Sequence, residues 1–288
     1  MINQNSELKI MRALVKNWFR EFSVYELAKE SAVSIPMAYK TVKSFLAQKI
    51  ITENKRKIKA DFNSLFTYNF KLLYDSERLN QLSDDIQEKI DNIFNVIKAE
   101  YLYDLLGFIV FGSVASNEMT EKSDIDFLVI IKEKKEINYK KSGLLNLEKI
   151  NIVEKTKSEF ESEYLLAYDL ILNALMNGII IFDEGIIRFL LKKPLPEPSY
   201  EVIMQKKQRL DILKNRLFIL LKDKDYKELV EQFKLYLIEQ ARILLLQKGL
   251  IPSSKKYIIN SLKKTNKNLY KFYTSVNTGN VAEFIKNV

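Results

Sequence analysis

Two short apolar runs fix the centre of this chain. Leu105-Leu106-Gly107-Phe108-Ile109-Val110-Phe111 and Ile125-Asp126-Phe127-Leu128-Val129-Ile130-Ile131 are almost unbroken, and the first stops at Gly112-Ser113. Runs of this length and type suit central strands buried on both faces. Ile150-Asn151-Ile152-Val153 and Ile179-Ile180-Ile181-Phe182 read as two further strands. Helical stretches lie between them, notably over 163–176. A mixed sheet with helices on one or both faces is the expectation, within an α+β chain.

What flanks the sheet reads as helical. Leu8, Met11, Leu14, Val15 and Trp18 recur at helical spacing. Ser23 stands three residues before Glu26, the spacing of a capping box. A helix over 36–47 follows, with Ser34 as its cap and Pro36 in its first turn. Ile50-Ile51-Thr52-Glu53 and Ile58-Lys59-Ala60-Asp61-Phe62 then predict two short strands around the basic tip Asn54-Lys55-Arg56-Lys57. Residues 77–104 read as one connecting helix, with Leu79, Leu82, Ile86, Ile90, Ile93, Phe94 and Ile97 on its packed side and Asp84 and Asp85 in its first turns. Past residue 199, Ile212, Leu213, Arg216, Leu217, Leu220 and Leu221 form one stripe; Leu229, Val230, Phe233, Leu237, Ala241, Leu244 and Leu245 form another, closed by Gly249. Pro252 opens a third helix through Tyr257, Ile258 and Leu262, and a small antiparallel bundle is expected. Three domains follow, at 1–75, 76–198 and 199–288.

Composition narrows the chemistry. The 288 residues include no cysteine and no histidine. Disulfides, thiolate nucleophiles, Cys/His zinc sites and histidine acid–base catalysis are excluded. Carboxylates, hydroxyls, lysine or a hard metal ion remain. Net charge is +6 over 1–75, −7 over 76–198 and +10 over 199–288. Basic flanks suit polyanions and an acidic middle suits cations. No apolar run reaches the ~18–20 residues that span a bilayer. Met1-Ile2-Asn3-Gln4-Asn5-Ser6-Glu7 has neither the basic start nor the apolar stretch of a signal peptide. A cytoplasmic protein without membrane contact is the expectation.

The strand ends carry the chemistry. Gly112 after a buried strand lets the backbone approach a ligand, Ser113 adds a hydroxyl, and free N–H groups at a following helix suit phosphate. Asp124 and Asp126 are two apart on the next strand, so both project from one face. Paired carboxylates repel unless a cation sits between them, and hard oxygen ligands suit Mg²⁺ or Mn²⁺.

This arrangement, Gly112-Ser113, ten residues, then Asp124-Ile125-Asp126 with Ser123 before the pair, resembles the nucleotidyltransferase superfamily that includes DNA polymerase β, and within it the minimal nucleotidyltransferases. The resemblance implies transfer of a nucleoside monophosphate from an NTP, ATP first among them, to a protein, RNA or small-molecule acceptor. Gly112, Ser113 and Ser123 would hold the nucleotide; Asp124 and Asp126 would hold metal and be catalytic. The family places a third carboxylate on a later strand; the matching position here is Asn151, with Glu148 and Glu154 nearby and a bulge needed to re-aim either. Ser116-Asn117 stands where many relatives carry Arg-Gly.

The flanks resemble known domains as well. The order of elements over 1–75 resembles a winged helix-turn-helix, which implies duplex DNA contacts by Lys40 and Lys43 on helix 36–47 and by Lys55, Arg56 and Lys57 on the wing, with a homodimer through this domain as a reasonable arrangement. The C-terminal bundle resembles, more loosely, the HEPN domain. Its ribonuclease members need an Arg followed closely by His, so no ribonuclease activity is expected here. A transcriptional regulator that senses nucleotide without turnover is the alternative reading.

Overall fold

The computed structural model describes residues 6–116, 123–135, 149–252, 255–276 and 281. The chain forms two compact units, residues 1–162 with 173–195, and residues 163–172 with 196–288.

The first unit opens with α1 (Ser6–Lys16), α2 (Val24–Ser31) and α3 (Ile35–Ala47), followed by a hairpin of β1 (Ile51–Asn54) and β2 (Lys57–Ala60). Ile10, Met11, Leu14, Val15 and Trp18 are buried. The capping box forms as expected: the Ser23 hydroxyl accepts from the Glu26 N–H, and the Glu26 carboxylate accepts from the Ser23 N–H at 2.7 Å. Glu26 also accepts from Lys57 Nζ at 2.9 Å. The Ser23 N–H first, then Lys57, bring the Glu26 pKa down to about 2. One half-buried carboxylate thus starts α2 and tethers the hairpin.

Ser34 occupies the N-cap position of α3, but its hydroxyl makes no capping bond there. Pro36, in the first turn, is what suits the start of this helix. The hairpin register ends at Asn54↔Lys57, leaving Lys55 and Arg56 as a two-residue tip, both with positive φ (47° and 62°). This is the geometry of a type I′ turn, which asparagine and glycine fill most readily.

The expected single helix over 77–104 is instead two. α4 (Leu65–Leu79) ends before residues 80–83, and α5 (Asp84–Tyr101) begins after Ser83. The sheet follows: β3 (Leu105–Phe111), the one-turn α6 (Gly112–Ala115), β4 (Ile125–Ile131) and β5 (Ile150–Thr156). The helix expected over 163–176 is broken into α7 (Lys157–Leu165) and α8 (Asp169–Asn177), with Ala167 at φ 57° between them. Then come β6 (Ile179–Asp183) and α9 (Ile186–Leu191). The strand order is β5-β4-β3-β6; β4 and β5 are parallel, and the other pairings antiparallel. The sheet is therefore mixed, as its sequence implied. Ile86, Ile90, Ile93 and Ile97 of α5 pack with Phe108, Val110, Phe127 and Val129 in one core.

The N-terminal elements are fastened to the sheet's elements within this unit. Trp18 Nε1 donates to the Leu175 carbonyl at 3.0 Å, and Arg188 donates to the carbonyls of Phe62 and Asn63. The Tyr68 hydroxyl donates to Asp183, and burial followed by that carboxylate pushes the phenol's pKa well up.

The second unit is helical: α10 (Tyr200–Lys222), α11 (Tyr226–Gln247), α12 (Lys255–Thr265) and α13 (Lys267–Thr274). Leu217, Leu229, Phe233 and Leu237 share one core; Ala241, Leu245, Ile258 and Leu262 share another. Gly249 takes φ 69° just past α11, the geometry expected of a helix stop. The third helix is described from Lys255; residues 253 and 254, between it and Pro252, lie outside the described residues. A further helix, α13, begins where Asn266 accepts from the Leu269 N–H. Among the described residues, no helix is long and apolar enough to cross a membrane.

The hairpin tip yields a direct test. Replacing Lys55 by Asn and Arg56 by Gly puts residues that accept the left-handed region where it costs other L-residues roughly 1–2 kcal/mol each. The double variant is expected to gain about 1 kcal/mol, read as a higher urea midpoint at unchanged slope. A lower midpoint would refute this account of the turn.

Candidate functional site

The antiparallel pairing of β3 with β4 sets Phe111 opposite Asp126. The chain leaves β3 at Gly112 with φ +73°, so the glycine lies directly against the Asp126 carboxylate. A Cβ at residue 112 would stand 2.1 Å from Asp126 Oδ2. Both the conformation and the approach therefore require glycine. Ser113 is half-buried beside it at the start of α6, and the Ser116 hydroxyl donates to the Gly112 carbonyl at 3.0 Å.

Asp124 precedes β4 and is exposed; Ser123 and Asp126 are half-buried. Burial raises the Asp126 carboxyl above the usual carboxylate range, the Asn151 amide works against it, and the charge of Asp124 adds to it. Burial is the main cause, and the neighbouring Asp124 charge is a smaller contribution in the same direction. The structure thus brings Gly112, Asp126 and Asp124 to one edge of the sheet.

Asn151 lies beside Asp126 in the parallel β4–β5 register, and its Nδ2 donates to Asp126 Oδ1 at 3.0 Å. This leaves Oδ2 facing Gly112. Glu154 does not substitute for a third acid. The β4–β5 ladder runs from Ile125↔Ile150 to Ile131↔Thr156 without a register shift, which puts Glu154 opposite Val129 on the α5 face. There, burial and then Glu154 push the Tyr101 phenol upward. Glu148 and Asn117 lie outside the described residues.

The basic positions are on other elements. Lys40 and Lys43 are exposed on α3, and Lys55 and Arg56 are exposed at the hairpin tip. Lys57 is half-buried and occupied by Glu26.

A buried charge cluster on α4 was not read from the sequence. Asp75 is fully buried and accepts from Lys71 Nζ, from Arg78 Nη1 at 3.1 Å and from the Ile180 N–H at 3.0 Å. Arg78 also donates to the carbonyls of Gly178 (2.8 Å), Asn177 (2.6 Å) and Ala115 (2.7 Å). The guanidinium thus ties the far end of α6, whose near end is Gly112, to the entry of β6. Lys71, Asp75 and Arg78 at (i, i+4) and (i, i+7) were the available signal.

Among the described residues, no group of three or more carboxylates converges. Two hard carboxylates beside a glycine turn nonetheless fit Mg²⁺ or Mn²⁺. Magnesium is commonly held by one or two carboxylates with the remaining oxygens coming from substrate phosphates and water.

Residues 90–188 match the nucleotidyltransferase domain family. The matched stretch holds the whole four-stranded sheet together with Gly112, Ser113, Asp124, Asp126 and Asn151. No curated protein matches the chain. Among solved structures, a nucleotidyltransferase-like protein from Exiguobacterium sibiricum 255-15 is 16% identical, over 66% of this chain and 70% of its own, with a TM-score of 0.38. A spectinomycin adenyltransferase from Enterococcus faecialis, solved with ATP and spectinomycin, is 15% identical, over 69% of this chain and 97% of its own, with a TM-score of 0.40.

Two substitutions probe this edge by thermal melting in EDTA. Gly112→Ala forces both a left-handed φ and a clash, and is expected to cost about 1–3 kcal/mol. Asp126→Asn keeps the shape and removes a charge the fold disfavours, so it is expected to raise Tm at neutral pH. The sign follows from the raised pKa: the Asp126 contribution is fully present below its unfolded value and is lost as pH rises through the folded one. The advantage of the amide variant should therefore shrink below pH ~4. A lower Tm for Asp126→Asn at neutral pH would contradict it.

Proposed function

We propose that this chain is an NTP-dependent, divalent-cation-dependent nucleotidyltransferase that moves a nucleoside monophosphate onto an acceptor hydroxyl. The observation that carries this reading is the seating of Gly112 against Asp126, with Asp124 two residues earlier, inside the stretch that matches the nucleotidyltransferase domain family. A divalent ion held by Asp124 and Asp126 would neutralise charge on the triphosphate oxygens.

The chain's own groups supply the rest. The bare backbone at Gly112 admits phosphate closely, and the Ser113 hydroxyl, with Ser123 beside Asp124, offers donors to it. The Asn151 amide fixes Asp126 by its Oδ1. In the reaction the acceptor oxygen bonds to the α-phosphorus, the α–β bridging bond breaks, and pyrophosphate leaves. An amide cannot take the acceptor's proton, so at Asn151 the proton passes to solvent or to a group of the acceptor's surroundings.

A second reading rests on the same amide. With Asn151 in place of a base, the centre binds nucleotide with weak turnover and reports it to a winged helix formed by α1–α3 and the β1–β2 hairpin. DNA contacts then fall to Lys40, Lys43, Lys55 and Arg56, because Lys57 serves Glu26.

Incubation with α-labelled ATP, Mg²⁺ and protein, RNA or small-molecule acceptors separates the readings. Transfer abolished by Asp124→Ala supports the enzyme. Asn151→Asp restores an acid and is expected to raise turnover about tenfold or more. Absence of labelled product from wild type and Asn151→Asp alike would count against transfer. For the sensor, duplex binding should weaken with salt, and the slope should fall by roughly 0.9 for each phosphate-contacting cation removed. Binding indifferent to loss of Lys55 and Arg56 would remove the hairpin from any DNA role.

A further inference from the structure

The first unit holds an open pocket of about 310 Å³ that Val114, Ala115 and Ser116 line and Gly112 and Ser113 do not. α1 and the residues after it, α4, the end of α6 and the α8–β6 junction line it. Its size is at the lower end for pockets that take small molecules. Lys16, Lys71 and Arg78 all line it, and no carboxylate does. Asp75 is the shared counter-ion of Lys71 and Arg78, so the formal charges, Lys16 included, sum to two positive, while burial pushes the Lys71 pKa down and Asp75 opposes that.

The individual groups are unequal. Arg78 spends both Nη groups on Asp75 and on backbone carbonyls, so it contributes charge more than free donors. Lys71 is different. It is 2% exposed, and among the described residues Asp75 is its hydrogen-bond partner. An ammonium has three donors, and Lys71 lines the cavity with one of them given to Asp75. Burial of such a charge is costly without a further counter-ion. Lys16 stands exposed at the mouth. Two aromatic side chains, Phe19 and Tyr74, and the amides of Asn17 and Gln81 complete a wall suited to a flat polar ring.

We propose that this cavity is a binding site for a small phosphate monoester carrying a flat ring, its dianion held by Lys71 and Lys16 and its ring placed against Phe19 and Tyr74. The charge of a phosphate monoester near neutrality, about −2, matches the net charge of the cluster. The site is separate from the Asp124–Asp126 edge and does not depend on turnover there. Its occupant would touch both the N-terminal helices and the end of α6, one helical turn, or roughly 6 Å, from Gly112.

The test is thermal melting of the intact chain in EDTA, with inorganic phosphate and AMP as probes at millimolar concentration. AMP is expected to raise Tm saturably by a few degrees and to bind at least about tenfold tighter than inorganic phosphate. Lys71→Met should abolish the shift. Lys16→Ala, an exposed change that leaves folding intact, should weaken AMP about fivefold. Ser113→Ala should leave it unchanged. Three results would overturn the proposal: no shift with AMP; equal affinity for AMP and inorganic phosphate; or a shift that survives Lys16→Ala but is lost in Ser113→Ala, which would put the ligand at the nucleotide turn. If Lys71→Met does not fold, Lys16→Ala and Gln81→Ala decide.

Discussion

A backbone turn with no side chain, pressed against a carboxylate, governs this architecture. The Gly112–Asp126 contact exists only because β3 and β4 pair antiparallel with Phe111 opposite Asp126. That register in turn follows from two seven-residue strands whose apolar side chains have nowhere to go but the core. A slip by one residue would move Asp126 onto the face packed by α5 and Phe127 onto the face that now carries Asp126. Burial energy therefore sets the position of a polar group that burial alone disfavours.

The α4 cluster solves a second problem for the same edge. A one-turn helix such as α6 holds itself poorly, since it has hardly any internal hydrogen bonds. Arg78 takes its last carbonyl and the two carbonyls that lead into β6, while Asp75 neutralises the guanidinium from behind. Buried pairs of this kind add little net stability but are costly to break by halves, and what they add is definition. Here the definition is of where the Gly112 turn begins and ends.

The strands and the glycine–aspartate pairing were legible because a buried strand needs an apolar run, and polar residues at its end stand out against it. The capping box at Ser23 was legible for a similar reason: both partners are local. α4 was not, and its buried face shows why. Thr67, Tyr68, Lys71 and Asp75 form that face, so a search for apolar periodicity passes over it. The break between α7 and α8 also had no signal, since Ala167 turns the chain with neither glycine nor proline. Strand parity singled out Asn151, but its bond to Asp126 depends on parallel pairing with β4, which local pattern does not encode. Glu154 required the same information. Only an unshifted ladder puts it on the opposite face.

Glu26 couples a helix start to a strand start. Its one carboxylate accepts from the start of α2 and from the lysine that opens β2. Stability from this group is complete above the ordinary carboxylate range and disappears as acidity approaches its own pKa, near 2. A single proton arriving there would release a helix end and a strand anchor together, so strong acid should loosen this corner in one step.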